Sequence, residues 1–291
     1  MKRRCDWNDE GTVKTAISLI LILAALYVAI LGLVFWFQPK LVYFPLKGVP
    51  MATPQARGLA YERVTLPTED GEQLAAWWIP APASTTARGT VLLFHGNAGN
   101  IAQRIDYAKM FYDMGYATLL VDYRGYGEST GEPSEAGTYR DAAASWTWLT
   151  KVRGNKPSQI VIFGESLGGG IATWLAVRQS DTAPRALILA STFTLVPDLG
   201  AAIYPWLPVR WLSHIHYNNL ANIERIRVPL LIAHSPQDEI IPYAHGQRLF
   251  ATAHEPKAFL ELAGGHNEGF VFAREAWVRA VREFLERNTT K

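Results

Sequence analysis

Twelve residues constrain this chain more than any others: Gln159–Gly170 reads Gln-Ile-Val-Ile-Phe-Gly-Glu-Ser-Leu-Gly-Gly-Gly. The β-branched and aromatic run Ile160–Phe163 predicts a buried strand, and Ile171–Arg178 suits a helix. Between them, Gly164-Glu165-Ser166-Leu167-Gly168 is G-x-S-x-G, the sharp strand-to-helix turn that presents a nucleophile. Ser166 must adopt a strained backbone there, and Gly164 and Gly168 leave room where a Cβ would clash. The turn lifts the serine hydroxyl above the sheet edge, at the positive end of the following helix. A Gly-Ser-Gly turn can arise by chance in a chain with 23 glycines. The strand–turn–helix setting is what selects Ser166 as a nucleophile.

The elbow implies a particular frame, and the rest of the chain supplies it. Apolar runs at Thr90–Phe94, Ala117–Val121, Ala186–Leu189, Leu230–Ala233 and Ala258–Leu262 read as further strands. Amphipathic segments alternate with them. Ile101, Ile105, Ala108 and Phe111 share one face, with Asn100 as N-cap and Gly115 as stop; Tyr139, Ala142, Trp146 and Leu149 do the same after Ser134. Continuous apolar strands alternating with such helices predict an α/β fold, a mostly parallel twisted sheet covered on both faces. Tyr61–Leu66, a turn at Asp70-Gly71 and Leu74–Ile79 predict a leading β-hairpin.

Upstream, residues 15–39 carry no charged side chain, and Ala16–Phe37 is long and apolar enough to cross a bilayer as a helix. A cleaved signal peptide would have a shorter apolar region followed by small residues; Phe35-Trp36-Phe37-Gln38-Pro39 follows instead. The aromatics, with Tyr43 and Phe44 beyond, suit an interfacial belt. The expected organisation is a tail (1–14), a transmembrane signal anchor (15–37), a connector (38–60) and a catalytic domain (61–291). Lys2, Arg3, Arg4 and Lys14 precede the span while Lys40 and Lys47 follow it. This bias predicts a cytoplasmic N-terminus and a catalytic domain on the non-cytoplasmic side, periplasm or lumen.

A serine hydroxyl is a weak nucleophile near neutrality and needs a base, itself oriented by a third group. In a doubly wound sheet such groups sit at the carboxyl ends of strands. That filter selects His266, in Gly264-Gly265-His266-Asn267 after the last strand, and Asp238, in Ser235-Pro236-Gln237-Asp238-Glu239 after the one before. The order Ser, Asp, His is the one this architecture uses. Asp198 is the second candidate for the acid. Asp122 and Asp141 read as loop organisers, Glu239 as pointing elsewhere, and His234 as a core residue ending a strand. His214, His216, His245 and His254 fall outside the strand-end pattern. For the developing oxyanion, the backbone N–H of Leu167 is one donor. Asn97, in the loop His95-Gly96-Asn97-Ala98-Gly99-Asn100 after the first long strand, is the other. His95 is expected to order that loop.

That loop, together with Asp122-Tyr123-Arg124-Gly125-Tyr126-Gly127-Glu128-Ser129, Gly164–Gly168, Asp238 and Gly265-His266, resembles the α/β-hydrolase superfamily. The chain is most similar to its membrane-anchored branch, which includes α/β-hydrolase-domain depalmitoylases and bacterial relatives. Gln38–Pro45 also resembles that branch's segment after the anchor. The resemblance implies a hydrolase fold with an initial antiparallel hairpin, Ser166 as nucleophile, His266 as base and Asp238 as its orienter. Where the animal depalmitoylases carry a cysteine-rich N-terminus, this chain has a spanning segment.

Phe193–Ala221 is short for a lid domain and reads as a small helical cap rich in Leu195, Leu199, Ile203, Tyr204, Trp206, Leu207, Trp211 and Leu212. These residues either pack the sheet edge or line an apolar slot. A catalytic domain held beside a bilayer meets acyl esters at high local concentration. The expected activity is hydrolysis of carboxylic ester or thioester bonds in small-molecule or lipid acyl substrates through an acyl-enzyme on Ser166. The alternatives are a serine peptidase or amidase on the same residues, and a non-catalytic interaction protein. No cofactor and no metal is expected, because a serine nucleophile replaces metal-bound water. One cysteine, Cys5, excludes an intrachain disulfide and a cysteine-based zinc cluster. A net charge of +2 with no basic, aromatic-interleaved cluster argues against nucleic acid as a partner.

Overall fold

A helix of 34 residues, α1 (Asp9–Val42), leads the computed structural model, which describes residues 9–83, 86–268 and 274–288. Lys2, Arg3, Arg4 and Cys5 lie outside the described residues. From Gly11 to Val42, α1 is long and apolar enough to cross a membrane by length and composition, and the most apolar stretch is not buried in the protein. It continues past Pro39, whose ring costs it one internal hydrogen bond. The Tyr43 N–H then donates to the Pro39 carbonyl at 2.8 Å. The connector expected from residue 38 is therefore helical as far as Val42.

The chain next runs into β1 (Phe44–Pro45), then a hairpin of β2 (Glu62–Pro67) and β3 (Gln73–Ile79) with Leu66 opposite Leu74. The Thr68 hydroxyl donates to Asp70 (2.7 Å) and accepts the Glu72 N–H (2.9 Å), closing the turn. β4 (Thr90–Phe94) leads to β5 (Ala98–Gly99), which pairs in parallel with β1. Asn100 then caps a helical segment reciprocally with Gln103. Its first turn is 3-10, and α2 (Ile105–Asp113) follows.

The order continues with β6 (Ala117–Val121), α3 (Glu135–Thr147) capped by Ser134, β7 (Ile160–Glu165), α4 (Leu167–Arg178) and β8 (Ala186–Ala190). Short helices α5 (Val196–Ile203) and α6 (Val209–Leu212), in the segment expected as a cap, and α7 (Asn219–Ile223) come next. β9 (Leu230–His234), α8 (Ala244–Thr252), β10 (Lys257–Glu261) and α9 (Arg274–Arg287) complete the described chain. The strands expected from the sequence are all present, with the first strand of the hairpin and the last strand each displaced by one residue.

Eight strands form one sheet in the order β10-β9-β8-β7-β4-β6-β3-β2; only the pairings of β3 are antiparallel. Side chains alternate between two cores. Leu92 and Phe94 join Trp146, Ile171, Leu175 and Leu249 on one face. Val91 and Leu93 join Ile105, Phe111, Trp277 and Val281 on the other. Strands β4, β6, β8 and β9 are buried along their whole length, and β7 is buried as far as Gly164. Each large apolar side chain so covered contributes about 1.5–3 kcal/mol relative to exposure. The result is the doubly covered, mostly parallel sheet with a leading hairpin that the resemblance implied. It sets the carboxyl ends of β4, β7, β8 and β9 side by side.

Candidate active site

At the end of β7 the backbone does what G-x-S-x-G demands. Ser166 has φ +52° and ψ −116°, in a region that side-chain-bearing residues rarely occupy. A Cβ at Gly164 would strike the Gly168 carbonyl, and one at Gly168 would strike the carbonyls of Phe94 and His95. β7, α4 and β4 thus approach more closely than any side chain would permit. The strained residue is held from both sides. Its N–H donates to the Ala190 carbonyl at 2.9 Å, and its carbonyl accepts from the Thr192 hydroxyl at 2.7 Å.

Two loops carry the expected partners to this hydroxyl. His266 Nε2 lies 3.1 Å from Ser166 Oγ, and its Nδ1 lies 2.8 Å from Asp238 Oδ2. Asp238 Oδ1 accepts the N–H groups of Ile240 (3.0 Å) and Ile241 (2.7 Å), which fixes the carboxylate plane. Burial acts to raise this carboxyl, but hydrogen bonds from His234 and His266 outweigh it and hold the group well below the usual carboxylate range. Ser166, Asp238 and His266 are therefore brought together in one hydrogen-bonded line.

His234 enters this line unforeseen. It ends β9 fully buried, as expected, but its Nε2–H donates to the Ile241 carbonyl at 2.8 Å and sits 3.4 Å from Asp238 Oδ2. The acid thus lies between two imidazoles. The signal available in the sequence was a histidine at a strand's carboxyl end, four residues before the acid. Glu239 also has a task, since its carboxylate accepts the His266 N–H at 2.9 Å. Asp198, the second candidate for the acid, lies in α5 paired with Arg210 at 2.8 Å. Asp141 accepts both the Arg124 N–H and its guanidinium, and Asp122 accepts the Ile101 N–H, so both organise loops.

The loop after β4 passes directly over the elbow: a Cβ on Gly96 would lie 3.5 Å from the Ser166 Cβ. His95 orders the loop from within, its ring 4.3 Å from that of Tyr123, whose hydroxyl donates to the His95 carbonyl at 2.7 Å. The Asn97 side-chain amide is turned back to the Val42 carbonyl at 3.0 Å. Its own carbonyl accepts from Phe44 N–H and from the Tyr126 hydroxyl. Leu167 opens α4, where first-turn N–H groups have no acceptor within the helix.

Beside His266 opens a cavity of about 320 Å³, with Arg104, Tyr107, Glu165, Ser191 and Leu262 in its wall. Arg104 pairs with Glu165, the residue before the serine. Burial works against the guanidinium charge, and the carboxylate beside it outweighs that cost. The cap aromatics are elsewhere. Trp206 and Trp211 are exposed, so they neither pack the sheet edge nor line this cavity. Among the described residues, no cluster of His, Cys, Asp or Glu has the arrangement of a metal site.

Residues 85–221 match the family described as serine aminopeptidase, S33. An uncharacterized protein of Mycobacterium tuberculosis is 36% identical over 275 residues, covering 93% of this chain and 95% of the relative. Lysophosphatidylserine lipase ABHD12 of Macaca fascicularis is 30% identical over 295 residues, covering 85% of this chain and 74% of that protein. Among solved structures, the Pyrococcus furiosus esterase Pf2001 superposes with a TM-score of 0.68 at 21% identity, over 86% of this chain and 98% of the esterase.

Proposed function

The chain belongs to the α/β-hydrolase superfamily, and on that premise we propose that this hydrolase is a membrane-anchored serine enzyme cleaving carboxylic ester or thioester bonds of acyl and lipid substrates. The observation that carries the reading is the line Asp238–His266–Ser166, 2.8 Å and 3.1 Å long, ending on a serine at φ +52°.

In the first half-reaction Ser166 Oγ attacks the substrate carbonyl carbon and passes its proton to His266 Nε2. Nδ1–H donates to Asp238 throughout, which fixes the ring tautomer and stabilises the imidazolium. The N–H groups of Leu167 and Asn97 receive the developing oxyanion. His266 returns the proton to the departing alcohol or thiol, leaving an acyl-enzyme. Water, deprotonated by the same Nε2, then releases the acid and restores the hydroxyl. The charge-free run of α1 supports the anchor, and the basic residues before it favour a catalytic domain on the non-cytoplasmic side. The lipase name of ABHD12 favours an acyl lipid substrate. The aminopeptidase name of the matching family favours a second reading, amide hydrolysis on the same three residues.

A fluorophosphonate probe tests the mechanism: the wild type is labelled, and Ser166→Ala and His266→Ala are not. Labelling that survives both substitutions overturns it. A p-nitrophenyl ester chain-length series run beside matching anilides separates the two readings, with turnover of medium or long esters expected and anilide turnover alone deciding for the peptidase.

A further inference from the structure

The anchor helix does not simply lead to the catalytic domain; it runs along the cap. The Tyr27 hydroxyl donates to the Trp206 carbonyl at 3.1 Å. Further along α1, the Phe35 ring meets that of His214 edge-on at 5.1 Å. Gln38, buried, donates to the Leu212 carbonyl (2.7 Å) and accepts the His214 N–H (3.0 Å). These contacts fix the height of the cap along the helix.

That height can be compared with the bilayer. At about 1.5 Å per residue, the charge-free run 15–39 is roughly 36 Å long, and the hydrocarbon core it must match is about 30 Å thick. The core's edge nearest the domain therefore falls between residues 35 and 39. Tyr27 lies about 12–18 Å inside that edge. Its side chain leans toward the helix N-terminus, away from the domain, so the tyrosine bond does not lift Trp206 out of the core. The cap segment around Trp206 occupies hydrocarbon depth.

The composition and facing of that segment fit this depth. Trp206 is 58% exposed and Trp211 is 94% exposed, with Ile203 and Tyr204 beside them also turned outward. From Leu195 to Leu212 the charged residues are Asp198 and Arg210, and they pair with each other at 2.8 Å. Water-facing surfaces seldom carry such a group of large apolar side chains together. In hydrocarbon the same side chains are at home, and a mutual ion pair is the form in which two charges cost least.

We propose that the cap segment Tyr204–Leu212 is immersed in the hydrocarbon layer of the leaflet next to the catalytic domain, with lipid acyl chains as the partner of its exposed aromatics. This rests on α1 being an anchor, and it adds a second, sequence-distant membrane contact that holds the cap against the leaflet where acyl substrates reside. The test uses the full chain in phosphatidylcholine vesicles, with Cys5→Ser and one new cysteine carrying a nitrobenzoxadiazole label. Trp211→Cys reports on the cap, Leu23→Cys on the anchor and Val152→Cys on the water-facing domain; retained fluorophosphonate labelling shows that each is folded. The cap label is expected to be quenched severalfold more by nitroxides on lipid chains than by aqueous iodide, like the label at 23 and opposite to the label at 152. Lipid quenching at 23 with iodide quenching at 211 overturns the immersed cap and leaves the anchor standing. Iodide quenching at 23 removes the anchor itself. Should Trp211→Cys not fold, Trp206→Cys gives the same reading.

Discussion

The surroundings of Ser166 and the tip of the cap use side chains in opposite ways. Around the serine, polar groups are tied to one another within the protein. Hydrogen bonds link Ser166 to Ala190, Thr192 and His266, and His266 through Asp238 to Ile241 and His234, and glycines bring three elements to near backbone contact. At the cap tip the large side chains face outward, and its ties to the rest of the molecule are a few bonds to α1. One region stores strain, which on the proposed mechanism holds a hydroxyl in one place before substrate arrives. The other can leave its apolar surface open only if something other than water covers it.

Substitutions can break or sharpen this contrast. The largest effect belongs to the serine: Ser166→Ala should lower kcat on a soluble short-chain ester on the order of 10⁶-fold. Next, Gly168→Ala forces a methyl against the Phe94 carbonyl and should cost about 1–3 kcal/mol of stability in thermal unfolding. His234→Ala removes one of the two imidazoles beside Asp238. Acting through the acid rather than on substrate, it should cut kcat about tenfold with KM nearly unchanged. Uniform loss of both would mean that His234 is merely structural.

Asp238→Asn gives a pH-dependent effect on stability. The native carboxyl is held below its unfolded value, so its contribution is present above the ordinary carboxylate range and is lost as pH falls through the lowered value. The gap between native and variant in denaturant unfolding should be about 1 kcal/mol near neutral pH and close in strong acid. A gap that widens in acid would reverse the assignment. Smallest of all, Trp211→Ala should leave soluble-ester turnover within about twofold, because the side chain lies on the surface away from the cavity. A large loss there would erase the contrast between the two regions.

Much of this was legible in the sequence, and the reason is local. The elbow, the buried strands and the strand-end positions of Asp238 and His266 each follow from spacing within a few residues, where steric rules leave little choice. What escaped depends on contacts between segments without periodicity. β1 and β5 are two residues each, too short to show alternation, yet they pair. The approach of His234 to Asp238 is set by the turn through Ile241, which no residue pattern announces. Trp206 lies in the turn between α5 and α6, and α6 has four residues, too few to assign a face, so the outward direction of Trp206 and Trp211 was invisible. α1 overran Pro39 because tertiary contacts at Gln38 and Tyr43 hold the turn that the proline weakens.

The junction after α1 has a practical consequence. Asn97 donates to the Val42 carbonyl, Phe44 N–H donates to the Asn97 carbonyl at 2.9 Å, and Leu46 N–H donates to the Gly99 carbonyl at 2.9 Å. α1 is thus not a leash on which the domain swivels, since its last turn is sewn to the loop lying over the serine. A version trimmed at residue 60 would pull out those stitches and slacken that loop. One trimmed just ahead of Val42 would keep them.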